Sequence, residues 1–400
     1  MQLFTNPFKP GAGQAPPYLA GREDEKLKFE KLLLEPPGLN NLIISGLRGV
    51  GKTVLLETLK PIAIKQGWLW AGNDFSESAG VTEKTLSTRI ITDLAPLVSS
   101  FIIGKKEFVG LGFKPEIKTL EQKLDYRTLI EIYKQEPGLE TDKLKKVLLI
   151  INSVLKNHVK GIILAYDEAQ ILKDKSVDKQ YPLSVLLEVV QYLQKLQIPY
   201  MLILTGLPTL FPNLVEARTY AERMFNHITL EKLTDEESRK AILEPIKAKN
   251  CPVSFTEVGI LELLEYSSGY PYFIQFFCKE SFDIILQQVK AGVVNLTLSI
   301  KDIVRKLDTD FYASRWNRVT DRQRDLLIVI SKLPNANTEF TNKEIANKSI
   351  ELNALFKTTQ INNLLVKLIE AGLIFKNRRS KYSFAVPLMA DFIKRQEYFD

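Results

Sequence analysis

The chain has 400 residues, 45% of them hydrophobic and 25% charged, which excludes a disordered or fibrous chain and predicts two or three packed domains. No apolar run approaches the roughly 20 residues that a membrane helix needs. Two cysteines and two histidines are too few for a disulfide framework or a zinc spacing. The net charge of +7 is concentrated late in the chain, since Arg315 to Asp400 carry 15 Lys/Arg against 9 Asp/Glu.

Met1 to Tyr18 is rich in Pro and Gly and reads as an extended arm; Met1 to Pro10 has no apolar segment of the secretory kind, and the expected location is cytoplasmic. Arg22 to Leu34 has helical periodicity, stopped by Pro36-Pro37-Gly38. A short apolar strand follows at Asn41 to Ser45, a helix at Gly51 to Ile64, a strand at Trp68 to Asp74 and a helix at Thr82 to Val98. Ser99 to Pro137 reads as a loop excursion with a short strand at Phe108 to Phe113. A helix at Leu139 to Val159, a strand at Gly161 to Tyr166, a helix at Pro182 to Leu196 and a strand at Tyr200 to Thr205 complete an alternating pattern. Such alternation predicts an α/β domain, a parallel sheet covered on both faces, over residues 21–232. Helices at Asp235 to Lys249, Val258 to Tyr266 and Tyr270 to Val289 predict a small helical domain over 233–298. Lys301 to Asn317 links onward within a last unit, 299–400. Both cysteines, Cys251 and Cys278, are expected to be buried thiols.

The sharpest signal is Gly46-Leu47-Arg48-Gly49-Val50-Gly51-Lys52-Thr53, which matches G-x-x-x-x-G-K-[ST] between a predicted strand and a predicted helix. Its glycines let backbone N–H groups, including those toward Val54, turn onto phosphate oxygens. Lys52 is placed to reach the β and γ phosphates, and Thr53 to hold Mg²⁺; Arg48 is expected to be exposed. About 115 residues later, the apolar strand ending at Tyr166 delivers Asp167 and Glu168 to the carboxyl edge of the sheet, where ligands bind in such folds. Asp167 is the candidate metal residue and Glu168 the candidate that polarises the attacking water. Thr205, ending the next strand, is a candidate to bond that water or the γ-phosphate. Arg218 and Arg223 are candidates for stabilising transition-state charge, in their own chain or a neighbour's.

These pieces resemble the AAA+ superfamily, in the branch of the origin-recognition and archaeal initiator ATPases and the related STAND ATPases. Tyr18-Leu-Ala-Gly21-Arg22-Glu23-Asp-Glu resembles the F-x-G-R-E-x-E segment of that branch, and Gly269-Tyr270-Pro271-Tyr272-Phe273 is similar to the G-x-P of its helical lid. The resemblance spans Pro17 to Val289. It implies that Tyr18, Leu19 and Arg22 lie near the adenine, that Thr205 is the first sensor, that Pro271 touches the base or ribose side, and that an arginine crosses between subunits. The chain departs from the pattern in the lid, where Gly269 and Pro271 stand and no sensing arginine is evident.

Asp321 to Arg395 reads as a winged helix: helices at Asp321 to Lys332, Asn342 to Lys348 and Thr359 to Ala371, then a hairpin of Leu373 to Lys376 and Tyr382 to Ala385. Thr359, Gln360 and Asn363 on the third helix suit a major groove, and Lys376, Arg378, Arg379 and Lys381 on the hairpin suit phosphates. The expected whole is a slow Mg²⁺-dependent ATPase (ATP to ADP and phosphate), an AAA+ switch whose winged helix binds double-stranded DNA. Two alternatives stay open: a STAND-type signalling switch, in which nucleotide controls oligomerisation and the last domain binds protein, and a nucleotide-dependent assembly module with negligible turnover.

Overall fold

The computed structural model describes residues 4–11, 13–37, 40–75, 81–109, 117–175, 177–247, 251–293, 298–354, 356–378 and 380–396; for 103–109, 117–122 and 378 only the backbone is described. Its core is a five-stranded parallel sheet. The chain enters through α1 (Glu23–Leu32), β1 (Asn41–Gly46), α2 (Lys52–Lys65), β2 (Trp68–Ala71) and α3 (Glu83–Val98). An antiparallel hairpin, β3 (Ile102–Val109) and β4 (Ile117–Lys123), and α4 (Tyr126–Gln135) follow, where a loop with one short strand was expected; part of that expected strand, 110–113, lies outside the described residues. Then come α5 (Glu140–Leu155), β5 (Gly161–Tyr166), α6 (Pro182–Lys195), β6 (Tyr200–Gly206), α7 (Leu210–Ala217) and β7 (Phe225–Leu230). The strand order is β2-β5-β6-β1-β7, all pairs parallel.

Every residue of β1, β5 and β6 is buried, as expected of strands covered on both faces. β7 escapes the sequence pattern because it is an edge strand whose burial is broken, with Asn226 and His227 half-buried and Thr229 exposed. Two apolar layers flank the sheet. One gathers Leu55, Leu59 and Phe29 against Ile44 and Ile203. The other gathers Ile90, Leu94, Leu148 and Leu187 against Ile43 and Leu202.

The helical region beyond β7 contains α8 (Asp235–Leu243), α9 (Glu257–Ser267) and α10 (Pro271–Lys290). The N-terminal arm is not free of it: Phe8 is buried in its core, and Asn6 Nδ2 donates to the Lys279 carbonyl (2.9 Å) and to Asp283 (2.8 Å). Cys278 is buried there, and burial pushes its thiol pKa up; Cys251 is only half-buried, short of expectation, because it lies in the loop before α9. The predicted linker is itself helical, as α11 (Ile300–Leu307), a π-helical turn at Asp308–Tyr312 and α12 (Ala313–Trp316).

The last unit holds α13 (Asp321–Ser331), β8 (Phe340–Thr341), α14 (Asn342–Glu351), α15 (Thr358–Glu370), β9 (Ile374–Arg378), β10 (Lys381–Phe384) and α16 (Met389–Gln396), with sheet order β8-β10-β9. One continuous apolar cluster joins it to α8–α11, from Ile242 and Phe277 through Leu307 and Tyr312 to Leu368 and Phe392. Arg395 clamps Asp308 through two guanidinium bonds of 2.8 and 2.5 Å. Among the described residues, no helix is long and apolar enough to cross a membrane.

Candidate functional site

The loop between β1 and α2 sits at the carboxyl edge of the sheet. Gly49 and Gly51 have φ of 80° and 93°, a backbone region that side chains with a Cβ resist. The curl brings Lys52 under the loop, where its Nζ donates to the carbonyls of Gly46 (3.0 Å) and Leu47 (2.9 Å). Burial lowers the Lys52 pKa, and the carboxylates of Glu168 and Asp167 oppose that fall. A buried ammonium facing two carboxylates leaves a strong local field at the mouth of the loop.

β5 neighbours β6, and β6 lies between β5 and β1, so Asp167, Thr205 and Thr53 converge at one point of the edge. Asp167 is 2% exposed. Its Oδ2 accepts from the Thr53 hydroxyl; its Oδ1 accepts from the Thr205 hydroxyl and from the Glu168 amide (2.7 Å). Glu168 adopts a left-handed backbone, φ 51°, which costs a non-glycine residue energy and turns its carboxylate into the cavity. Gln170 donates to Glu168 and accepts from the Leu207 amide (3.0 Å), tying that carboxylate to the end of β6.

Lys52, Thr53 and Glu168 line a cavity of about 310 Å³, a volume within the range of small-molecule sites. Its walls come from distant parts of the chain. Arg48 to Val54 of the phosphate loop form the floor. Tyr18, Leu19 and Arg22 form one side, with Tyr18 more than a third exposed. Pro271 opens α10 on the other side. The Tyr272 amide, one of the helix-start donors that α10 leaves unpaired, donates to the Gly49 carbonyl (3.1 Å). Gly49 leaves room for this approach, since a Cβ there would lie 3.2 Å from the Tyr272 side chain, and Gly269 lets the turn before α10 lie against Leu233, where a Cβ would come within 2.4 Å of the carbonyl oxygen.

Arg22 has a further role, and the expected exposure of Arg48 needs correction. Arg22 is spent as a brace, donating to the backbone carbonyls of Val50 (3.1 Å) and Glu231 (2.9 Å) and pairing with Glu25 (3.4 Å), which leaves little of its guanidinium for a base. Arg48 is half-buried, and its Nε has no hydrogen-bond partner among the described residues. The loop is covered there: the Arg48 amide donates to the Ala385 carbonyl (3.5 Å), just past β10. Sequence reasoning also missed the arm residues Lys9, Pro10, Gly11, Gly13, Gln14 and Pro16, and Gln275, Phe311 and Arg315, all of which reach the cavity wall. The Pro- and Gly-rich composition of the arm was the one available signal; nothing local in sequence marks a residue that packs over more than 250 intervening positions.

Arg218 and Arg223 are not brought to the loop. Arg218 ends α7, and Arg223 is exposed just before β7. Arg223 lines a shallow depression with Pro36, Pro37 and Gln197, residues that precede β1 and β6 and therefore mark the amino edge of the sheet. From that edge Arg223 does not reach its own chain's loop. On the last unit, Thr359, Gln360 and Asn363 are exposed on α15, as is Lys376 on β9. Lys381 pairs with Glu339 (3.2 Å). The side chain of Arg378 and all of Arg379 lie outside the described residues.

Comparison with known proteins adds the fold's relatives. A family model described as a domain of unknown function (DUF8462) matches residues 309–393. No curated protein matches. Among solved structures, the chain is similar to a Walker-type ATPase of Pyrococcus abyssi, with 17% identity, TM-score 0.60, and coverage of 94% of this chain and 96% of that one. It is similar also to the ORC2 protein of Aeropyrum pernix in its ADPNP–ADP complexes, with 15% identity, TM-score 0.54, and coverage of 97% and 98%. The ADP form of that protein matches with 14% identity and TM-score 0.56, covering 97% of each chain. The five-stranded sheet with its phosphate loop, the helices that follow and these near full-length likenesses give the chain the AAA+ fold of the origin-recognition type.

Proposed function

We propose that the chain binds ATP or ADP with Mg²⁺ in this cavity and hydrolyses ATP slowly, as a switch. One observation carries the reading: a glycine-curled loop, its buried lysine and a paired aspartate and glutamate meet at one edge of the sheet, beside a cavity that Lys52 and Glu168 line together with the start of α10. Lys52 would leave the loop carbonyls for the β and γ phosphates. Thr53 and Asp167, already joined hydroxyl to carboxylate, are the oxygen donors that suit Mg²⁺, directly or through its waters. Bound there, the ion neutralises phosphate charge. Glu168 orients water, and Thr205 holds Asp167 in place from β6. Tyr18, Leu19 and Pro271 would border the base or ribose. Titration calorimetry tests the reading. The wild-type chain should bind ATP, and folded Lys52→Ala should lose most of that affinity; unchanged affinity in the variant would overturn the phosphate-loop assignment.

The domain reading that goes with this function is an arm (1–20), an α/β core (21–232), a lid (233–298) and a winged-helix unit (299–400), the arm being bound to the lid. Double-stranded DNA is the proposed partner of the last unit, because Thr359, Gln360, Asn363 and Lys376 are exposed on it. Val366 on α15 is 54% exposed and Ile350 on α14 63%, which favours a protein partner as the second reading, in the manner of a signalling ATPase. Titration of duplex DNA against salt decides between them. Phosphate contacts give a log–log slope of about −0.9 each, and absence of binding at low salt puts the protein-binding reading first.

A further inference from the structure

The AAA+ resemblance calls for an arginine in the lid that feels the nucleotide, and this lid offers none at its G-x-P motif. The cavity has a guanidinium nevertheless. Arg315 lies on α12, beyond the lid and inside the region matched by the domain of unknown function, and it lines the same cavity as Lys52 and Glu168.

Its placement is built. The Phe311 ring lies 4.9 Å from the Tyr272 ring, centroid to centroid, and the Arg315 guanidinium lies 4.5 Å over the other partner of that stack, Phe311. Arg315 also donates to the Phe311 carbonyl. Tyr272 is the residue whose amide holds Gly49. A continuous path therefore runs from the phosphate loop through Tyr272 and Phe311 to Arg315.

Its charge is uncompensated. Among the described residues neither Arg315 nor Arg48 has a carboxylate within ion-pair distance. The Arg48 Nε is buried without a partner, and a Cβ on Gly372 would lie 3.6 Å from an Arg48 terminal nitrogen. Arg48 thus lies between the phosphate loop and the last unit. Burial lowers the Arg315 pKa, and the positive charge of Arg48 lowers it further. Two neighbouring half-buried guanidiniums repel each other, and a buried donor without an acceptor is costly. An anion at the cavity mouth would relieve both.

We propose that Arg315, together with Arg48, receives the phosphates of the bound nucleotide, so that the last unit of this chain reads nucleotide state directly through its own arginine. The proposal rests on the ATP-binding reading above. It implies that a charged polyphosphate tightens the docking of β9 and β10 against the phosphate loop, because one bound anion holds cations from both parts.

Full-length Arg315→Met, which keeps the apolar stem over Phe311, and Arg315→Lys, which keeps the charge, are titrated with ATP and with AMP beside wild type and Lys52→Ala. A charged hydrogen bond lost to phosphate should weaken ATP binding by about 10- to 100-fold in Arg315→Met. AMP binding should change far less, and Arg315→Lys should recover part of the loss. Amide exchange in β9 and β10 should slow on adding saturating ATP to wild type, and not to Arg315→Met. If Arg315→Met fails to fold, Arg315→Lys is the test: a partial loss of ATP affinity with AMP binding kept supports the proposal, and unchanged ATP affinity, or ATP and AMP binding reduced alike, overturns it. Unchanged ATP affinity in folded Arg315→Met, where wild type binds and Lys52→Ala does not, overturns this proposal and leaves the ATP reading standing. Failure of wild type to bind ATP overturns both.

Discussion

At the scale of single residues, the site is a set of groups already bonded to one another. Asp167 accepts from Thr53, from Thr205 and from the Glu168 amide, so its carboxylate is fixed before any ligand arrives. Glu168 is held by Gln170 and aimed by a strained backbone, which is the geometry of a residue that positions water. Glu168→Gln keeps shape and loses charge. It should retain ATP and slow turnover by at least about 100-fold, measured in single-turnover hydrolysis, and a wild-type rate would remove Glu168 from the reaction. Lys52 carries the opposite lesson, since burying its ammonium costs the empty fold energy. Folded Lys52→Ala should therefore melt no lower than wild type without nucleotide, whereas ATP should raise the melting temperature of wild type alone. The loop, the acidic pair and Thr205 were legible because each is short-range: a glycine spacing, or polar residues ending an apolar run. Arg22 was legible as a site residue, but its bracing role was not, because its carbonyl partners at Val50 and Glu231 come from distant segments.

At the scale of elements, what could be read depended on burial. β1, β5 and β6 are buried throughout and stood out as apolar runs. β7 mixes exposed and buried positions and was missed, as was the β3–β4 hairpin, whose Lys and Glu residues give no apolar run. The pairing of β7 with β1 has a pH-sensitive link beside the phosphate loop. The Ser45 hydroxyl and His227 Nε2 lie 2.7 Å apart, and the Phe211 ring stacks on the imidazole at 4.9 Å. Burial, reinforced by Lys28, lowers the His227 pKa below its ordinary 6.5, so the folded chain favours the neutral ring. The unfolded chain then binds the extra proton, and stability rises with pH across the gap. The contribution is complete above about pH 6.5 and is lost as pH falls toward the lowered folded value. Wild type should lose more melting temperature than His227→Gln between about pH 7 and pH 5, and parallel curves for the two would show that His227 does not carry the effect.

At the scale of the whole molecule, the chain folds back on its own phosphate loop from both ends: the arm through Lys9 and Gly13, the last unit through Ala385 and Arg315. No sequence period reports such closure, because the partners lie hundreds of residues apart; the alternation of strands and helices predicted the sheet but not what covers its edge. What the closure leaves out is as informative. Arg223 is exposed at the amino edge of the sheet, remote from the loop, so an arginine that completes the site from there must reach a second copy of the chain. A guanidinium supplied at the γ-phosphate contributes on the order of 10³ or more in rate. Specific ATPase activity should then rise with protein concentration as subunits meet. Mixing Arg223→Ala with Lys52→Ala should restore activity that neither shows alone, because the first keeps an intact loop and the second an intact arginine. Arg218 is half-buried at the end of α7, and Arg218→Ala mixed in the same way tells whether it or Arg223 crosses. Activity strictly proportional to enzyme over a wide concentration range, with no rescue on mixing, would mean that each chain works alone. Among the described residues, the cations lining the cavity, Lys9, Arg22, Arg48, Lys52 and Arg315, would then be those from which the phosphates draw their charge partners.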